Sequence, residues 1–336
     1  MSIEVIKPGM LSSLQDLGRW HYQNIGVGVA GAMDPTAFQL ANLLVGNDSQ
    51  QACLEISLTG PSLLFQHNAC IAITGAFLSP YLDDTPIQNN RSYIVTSGQT
   101  LHFKMSSDNI GARSYLAIHG GFHLQPVLNS CSTDLKTKLG GWHGRALQKG
   151  DILKLNGRFR SRHLLELKQL LHSQRIYLPS GLSLQPRSTI RVTQGTHFGH
   201  FTEATQEAFF NTTFKISSQS DRMGYRLQGA TLNLTKPLQI YSEPTAFGTI
   251  QVPPDGNPIV LMADRQSTGG YPKIANVITA DLSYLAQSIP GQSIRFQSVS
   301  LSEAQQIWIT RQQRFKQLRE QIHATLEFLR EKFIYF

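Results

Sequence analysis

The segment PLQIYSEPTAFGTIQVPPDGNPIVLMADRQSTGGYPKI, Pro237 to Ile274, alternates three short apolar runs with clusters of Pro, Gly and Asp. The runs, Leu238 to Tyr241, Thr249 to Val252 and Ile259 to Ala263, predict strands joined by tight turns. The third run ends in Asp264, Arg265, Gln266, Ser267 and Thr268, and the chain then turns through Gly269 and Gly270 towards Lys273. A buried strand that finishes in a carboxylate, a guanidinium and an amide sets several hydrogen-bonding groups where a small ligand can meet them. The plainer alternative is that Asp264 and Arg265 pair with neighbours while Ser267 and Thr268 satisfy the turn backbone.

Outward from this segment the pattern stays β. Leu54 to Leu58, Ser62 to Phe65, Ala69 to Ile73 and Tyr93 to Thr96 alternate or run apolar between turn residues, which predicts an antiparallel barrel or sandwich. A second β unit is expected from Thr189 to about Val299. A glycine turn opening an alternating strand recurs at Ser97 to Phe103, Lys149 to Leu155 and Pro290 to Phe296, a faint internal echo of one unit in the other. Asp34 before Pro35 predicts a helix start, with Phe38, Leu40, Ala41, Leu43 and Leu44 as its apolar side. Gly26 to Gly31 fits GxGxxG, but no buried strand precedes it and no helix follows at once, so a dinucleotide fold is not expected. A basic run from Lys154 to Arg175 and two prolines place a linker over 161–188, between units at 1–160 and 189–300. Ser302, with Gln305 as capping partner, opens a terminal helix over 301–336, its stripe formed by Trp308, Phe315, Leu318, Ile322, Leu329 and Phe333.

The chain has 336 residues, enough for about two domains with cores of their own. Cys53, Cys70 and Cys131 are odd in number and lack metal spacing, so a reducing, cytoplasmic setting without disulfides or zinc is expected. The N-terminus has no signal-peptide core, and no stretch is long enough for a membrane span. The formal charge of +8 is dispersed and accompanies no nucleic-acid motif, so anionic small molecules or an acidic partner are the expected ligands. His197 and His200, with Glu203 and Glu207 beyond, are read as a surface loop and a helix start near Thr202; no metal is expected. Phosphate-loop, nucleophile-elbow and HExxH motifs are absent.

Six motifs stand in order: Gln15-Asp-Leu-Gly-Arg19, Gly31-Ala-Met-Asp-Pro35, Leu43-Leu-Val-Gly-Asn47, Ser220-Asp-Arg-Met-Gly-Tyr-Arg-Leu227, Gln251-Val-Pro-Pro-Asp-Gly256 and Ala263-Asp-Arg-Gln-Ser-Thr-Gly-Gly-Tyr-Pro-Lys-Ile274. Together they resemble the family of 5-oxoprolinase C subunits, also called the allophanate hydrolase subunit 2 or biotin-dependent carboxyltransferase-like family. The resemblance implies a mainly β protein of two cyclophilin-like β-barrel units with short helices and a C-terminal helix. It also implies an ATP-hydrolysing 5-oxoprolinase, a lactam hydrolase that opens 5-oxo-L-proline to L-glutamate only in complex with the B and A subunits of that enzyme. Its cofactor would be ATP with Mg, bound with the help of a partner; the chain shows no biotin-attachment motif. The family also includes the carboxyltransferase component of biotin-dependent urea carboxylases and a non-catalytic regulator of a kinase inhibitor.

On this reading Asp264 and Lys273 are the catalytic candidates, Asp264 orienting cations or acting as general base. Gln251, Arg265, Gln266, Ser220, Asp221, Arg222 and Tyr225 are the substrate-binding candidates. The amides of Gln251 or Gln266 suit a lactam, while Arg265 or Lys273 suits a carboxylate or phosphoryl group. Asp34 and Glu55 are secondary candidates, Asp34 having a competing role as a helix cap.

Overall fold

A computed structural model of the chain describes residues 1–157, 159–161, 164–173 and 187–335. The architecture is mainly β, in two compact units. One comprises Met1–Gly18, Asp34–Gln185 and Gln313–Phe336; the other comprises Arg19–Met33 and Pro186–Gln312. Neither is continuous in sequence, which departs from the expected divisions at 160 and 189. Arg19–Met33 joins the later unit because Met33 lies in that unit's core and the Gly31 carbonyl accepts a hydrogen bond from Arg222. Of the expected linker, residues 162, 163 and 174–186 lie outside the described residues. Leu164–Ser173 is a helix, and Leu167 on it is fully buried.

The first unit has a six-stranded and a five-stranded sheet, both antiparallel, beside a two-stranded pair of Arg160–Ser161 with Ile334–Tyr335. The longest strands, Ala69–Phe77 and Ile110–Ile118, pair along the five-stranded sheet, and Ser2–Lys7 pairs with Ser62–Phe65 in the six-stranded one. Alternation along these strands and along Cys53–Ser57 puts Ile3, Val5, Leu54, Ile56, Ile71, Ile73 and Leu116 into one core. The helix Pro35–Leu44 starts as expected: Asp34 Oδ1 accepts from Thr36 N and Ala37 N, satisfying two of the first-turn donors.

The second unit closes a seven-stranded barrel. Around it run Thr189–Gln194, Lys273–Val277, Thr249–Gln251, Ile259–Leu261, Gly224–Gln228, Phe214–Ile216 and Ser293–Ser298, which returns to Thr189–Gln194 as a parallel pair. Ile190, Ile250, Val260, Ile274 and the packed rings of Phe209, Phe214 and Phe296 fill the interior. Two of the three runs in Pro237 to Ile274 are strands, but Leu238 to Tyr241 is not. It lies between Pro237 and Pro244 in irregular chain, and Tyr241 is 95% exposed. A proline on each side removes ladder donors, and an exposed aromatic contributes no burial to hold a strand in place.

The terminal helix is Leu301–Phe333. Its capping box is formed by Ser300 and Glu303, two residues earlier than the Ser302 and Gln305 pairing expected from sequence. The carboxylate is the stronger acceptor for the Ser300 amide. Leu318 and Ile322 of the expected stripe are buried, whereas Trp308 is 37% exposed. No helix among the described residues is long and apolar enough to cross a membrane.

In the first unit Arg145 grips Asp151 through both terminal guanidinium nitrogens and holds its carboxyl down at about 2. Because the folded value lies below the ordinary carboxylate value, this pair's contribution is complete above about pH 4 and is lost as pH falls towards 2. Arg145→Ala is therefore expected to flatten the acid limb of a stability-against-pH curve in that window. Denaturant melts at stepped pH measure it, and an unchanged acid limb would count against the pair.

Candidate functional site

The candidate site starts from a β-bulge. Ile250 pairs with Ala275, but Gln251 pairs with Lys273, so the ladder skips Ile274. In unbroken register Gln251 would stand opposite Ile274, a fully buried core residue; the bulge brings a lysine across from it instead. The turn after Thr189–Gln194 holds the bulge in place. Gly195 N donates to Ile274 O, His197 N donates to Lys273 O, and Lys273 N donates to His197 Nδ1 at 3.2 Å. Gly195 must be glycine, since a Cβ there would lie 2.3 Å from Lys273 O.

Lys273 is only 7% exposed, and its ammonium is matched by Glu243 Oε2 at 2.8 Å and Pro244 O at 2.9 Å. The other Glu243 oxygen faces His197 Nε2 at 3.8 Å. With Nδ1 accepting from the backbone, the neutral imidazole carries its proton on Nε2, towards Glu243. Hydrogen bonding from Lys273 holds the Glu243 carboxyl below its usual range. Burial pushes His197 down, with the charges of Lys273 and His200 acting in the same direction and that of Glu243 against it. Glu243 sits on a two-residue strand, Glu243–Pro244, paired with Thr268–Gly269. Thr245 fastens the same strap, donating to Ser267 O and Gln266 O.

Beneath this strap lies Gln251, 5% exposed, whose Nε2 has no hydrogen-bond partner among the described residues. A Cβ at Gly269 would come within 2.5 Å of that nitrogen, which accounts for the first glycine of the Gly269-Gly270 pair. A buried donor without an acceptor is costly, and a ligand or water that supplies the acceptor would relieve that cost.

Asp264 forms a second cluster. Arg222 Nε and Nη2 reach its two oxygens at 2.9 and 2.8 Å, and Nη2 also donates to Gly31 O at 2.7 Å. Both side chains are buried, at 3% and 4% exposure. Of the two roles expected for Asp264, this geometry matches the orienting of a cation; a general base needs an oxygen that is not committed to a guanidinium. Arg222 pairs with Asp264 and not with the adjacent Asp221. Arg265, 7% exposed, has Nε without a partner among the described residues, a 3.5 Å contact from Nη1 to Met262 O, and the Phe247 ring at 5.8 Å. Burial lowers it to about 10, so it remains a cation at neutral pH.

The remaining expected residues stand apart from Gln251 and Lys273. Gln266 has an exposed side chain, and it is its carbonyl that Thr245 engages. Asp221 Oδ1 caps a turn through Met223 N and Gly224 N, and Ser220 Oγ accepts from Arg226 N. Tyr225 is a barrel-core side chain, its hydroxyl 3.4 Å from Ala286 O. The short polar side chains satisfy local backbone, and the tyrosine ring fills volume, so none reaches the amide of Gln251. In the first unit, Asp34 caps its helix and donates its N–H to Tyr115 Oη, which in turn donates to Glu55 Oε2 at 2.7 Å. Sequence reading misses His197 and Glu243; it expects His197 in a surface loop, whereas the side chain is 12% exposed and faces Glu243. The one available signal is Glu243 itself, the single glutamate inside the glycine- and proline-rich segment Pro237 to Ile274. No group of three or more His, Cys, Asp or Glu suited to a metal occurs among the described residues.

A mainly β chain with a closed barrel and a bulge-built polar cluster has relatives of a defined class: residues 25–298 match the family "Carboxyltransferase domain, subdomain A and B", and the chain belongs to that family. It is 42% identical over 302 residues to the 5-oxoprolinase C subunit of Haemophilus influenzae, covering 90% of this chain and 93% of that protein. It is 40% identical over 322 residues to the 5-oxoprolinase C subunit of Escherichia coli, covering 96% and 99%. Among solved structures it is similar to the K. lactis urea amidolyase, with a TM-score of 0.83, 32% identity, 94% of this chain covered and 20% of that one.

Two outcomes are expected. Asp264→Asn leaves Arg222 buried beside a neutral amide and should cost about 3–5 kcal/mol of stability in the second unit, read from urea melts; a shift below about 1 kcal/mol would remove the pair as the tether of Gly31. Lys273→Met removes a charge that depresses His197 and releases Glu243 towards it, so the imidazole should titrate at higher pH than in the parent protein. Histidine NMR titration reads the shift, and a fall would contradict the arrangement.

Proposed function

We propose that this chain is one component of a 5-oxoprolinase that, with the enzyme's B and A subunits as partners, opens 5-oxo-L-proline to L-glutamate at the expense of ATP. The observation that carries the reading is end-to-end similarity: relatives named as the C subunit of 5-oxoprolinase are matched over 93% and 99% of their own length. The urea amidolyase structure is matched over only 20% of its length. A carboxyltransferase role on a urea-like amide is the second reading, favoured by the family's description and by the 0.83 TM-score.

The residues support amide chemistry. Gln251 offers a buried primary amide, donor and acceptor together, complementary to the carbonyl and N–H of a lactam. Arg265, cationic and largely desolvated, suits the negative charge that develops when the ring carbon is attacked or its oxygen is phosphorylated. Asp264 and Arg222 hold the strand end from which Arg265 projects. ATP supplies the activation of the lactam oxygen. ATP with Mg is read as bound together with a partner, a Mg ion on a nucleotide needing only about one or two protein carboxylates beside the phosphates.

The test is reconstitution with the cognate partners and measurement of 5-oxoproline-dependent ATP hydrolysis. Coupled turnover is expected with all components present and none without this chain, and Arg265→Ala should reduce it by about 100-fold, the scale of losing one charge-stabilising donor. Dependence on carboxybiotin instead would move the assignment to the second reading, and full activity of Arg265→Ala would remove that residue.

A further inference from the structure

We infer that Glu243 is a specificity-determining residue: its carboxylate occupies Lys273 as an internal stand-in for the carboxylate of the substrate, and only a carboxylated lactam displaces it. This deepens the 5-oxoprolinase reading and rests on it.

Lys273 is buried and charged, and it projects from the bulge position opposite Gln251. Its anionic partner is Glu243, whose side chain is 40% exposed and stands on a two-residue strand in otherwise irregular chain. A buried ammonium tolerates the loss of its counterion only if another anion replaces it, because an uncompensated charge away from water is strongly disfavoured. Glu243 can be released into solvent at little cost; Lys273 cannot follow. Any ligand that lifts the strap must therefore bring its own negative charge to the Lys273 ammonium.

The strap also closes over Gln251. Glu243 pairs with Gly269, and Gly269 lies against Gln251 Nε2. Displacing Glu243 thus loosens the segment that covers the unmatched amide. A ligand with a carboxylate and a ring carbonyl meets both needs, the carboxylate on Lys273 and the carbonyl oxygen on Gln251. A neutral amide such as urea meets only the second and leaves the ion pair shut. Selection works here through the penalty on the wrong ligand as much as through contacts with the right one. His197 reports the exchange, since its Nε2 faces the Glu243 oxygen that Lys273 does not hold.

The test uses the reconstituted complex. Glu243→Gln weakens the internal competitor and loosens the strap, so KM for 5-oxo-L-proline should fall about fivefold, the worth of a partly exposed ion pair; the comparison ligand is 2-pyrrolidinone, which lacks the carboxylate. Lys273→Met should raise KM and abolish discrimination between the two lactams. In the parent complex, with carbon-13-labelled histidine, saturating 5-oxo-L-proline should move the His197 resonance and 2-pyrrolidinone should not, a reading independent of any variant's folding. Unchanged or higher KM in Glu243→Gln, or a His197 signal indifferent to 5-oxo-L-proline, overturns the inference while leaving the oxoprolinase reading intact. Absence of 5-oxoproline turnover in the parent complex overturns both.

Discussion

A single skipped residue, Ile274, governs the polar chemistry of the second unit. Interior positions of a closed barrel are apolar, and an unbroken ladder would set a core isoleucine opposite Gln251. The bulge changes that parity by one, leaving Ile274 in the core and moving Lys273 into line with Gln251. It survives because a neighbouring turn is shaped to it: Gly195 allows backbone to approach backbone, and His197 supplies the acceptor for the Lys273 amide. Packing, backbone pairing and site electrostatics converge on these few atoms.

From that position the rest follows. A lysine carried out of the core and covered by the strap needs an anion, and Glu243 provides it. Fastening Glu243 closes the strap, and closing the strap puts Gly269 on the Gln251 amide. The Arg222–Asp264 pair does separate work, anchoring the strand end before Arg265 and tying down Gly31. Desolvation holds the Arg222–Asp264 pair to good geometry, since a buried charge tolerates little misalignment.

Much of this is legible in the sequence. Alternating apolar runs predict the mainly β architecture, Asp34-Pro35 predicts the helix start, and the glycine pair after Ser267-Thr268 marks a crowded turn. Gln251 and Lys273 are expected site residues, and the fold brings them together, opposite each other in the ladder. Ser220, Asp221 and Tyr225 share a motif with Arg222 but face elsewhere, because neighbours along a strand or turn point to different sides. Leu238 to Tyr241 reads as a strand because apolar residues follow one another there, yet it forms none.

What local sequence determined about this protein is whatever depends on side-chain type and short-range periodicity: β units, a capped helix, and a polar cluster where apolar runs stop. Which residues meet was decided only by tertiary structure. His197 and Glu243 lie far apart in the chain and converge on Lys273 through a bulge that no spacing rule announces. A one-residue register shift is set by long-range packing and hydrogen bonding, and these act between segments that are strangers in sequence.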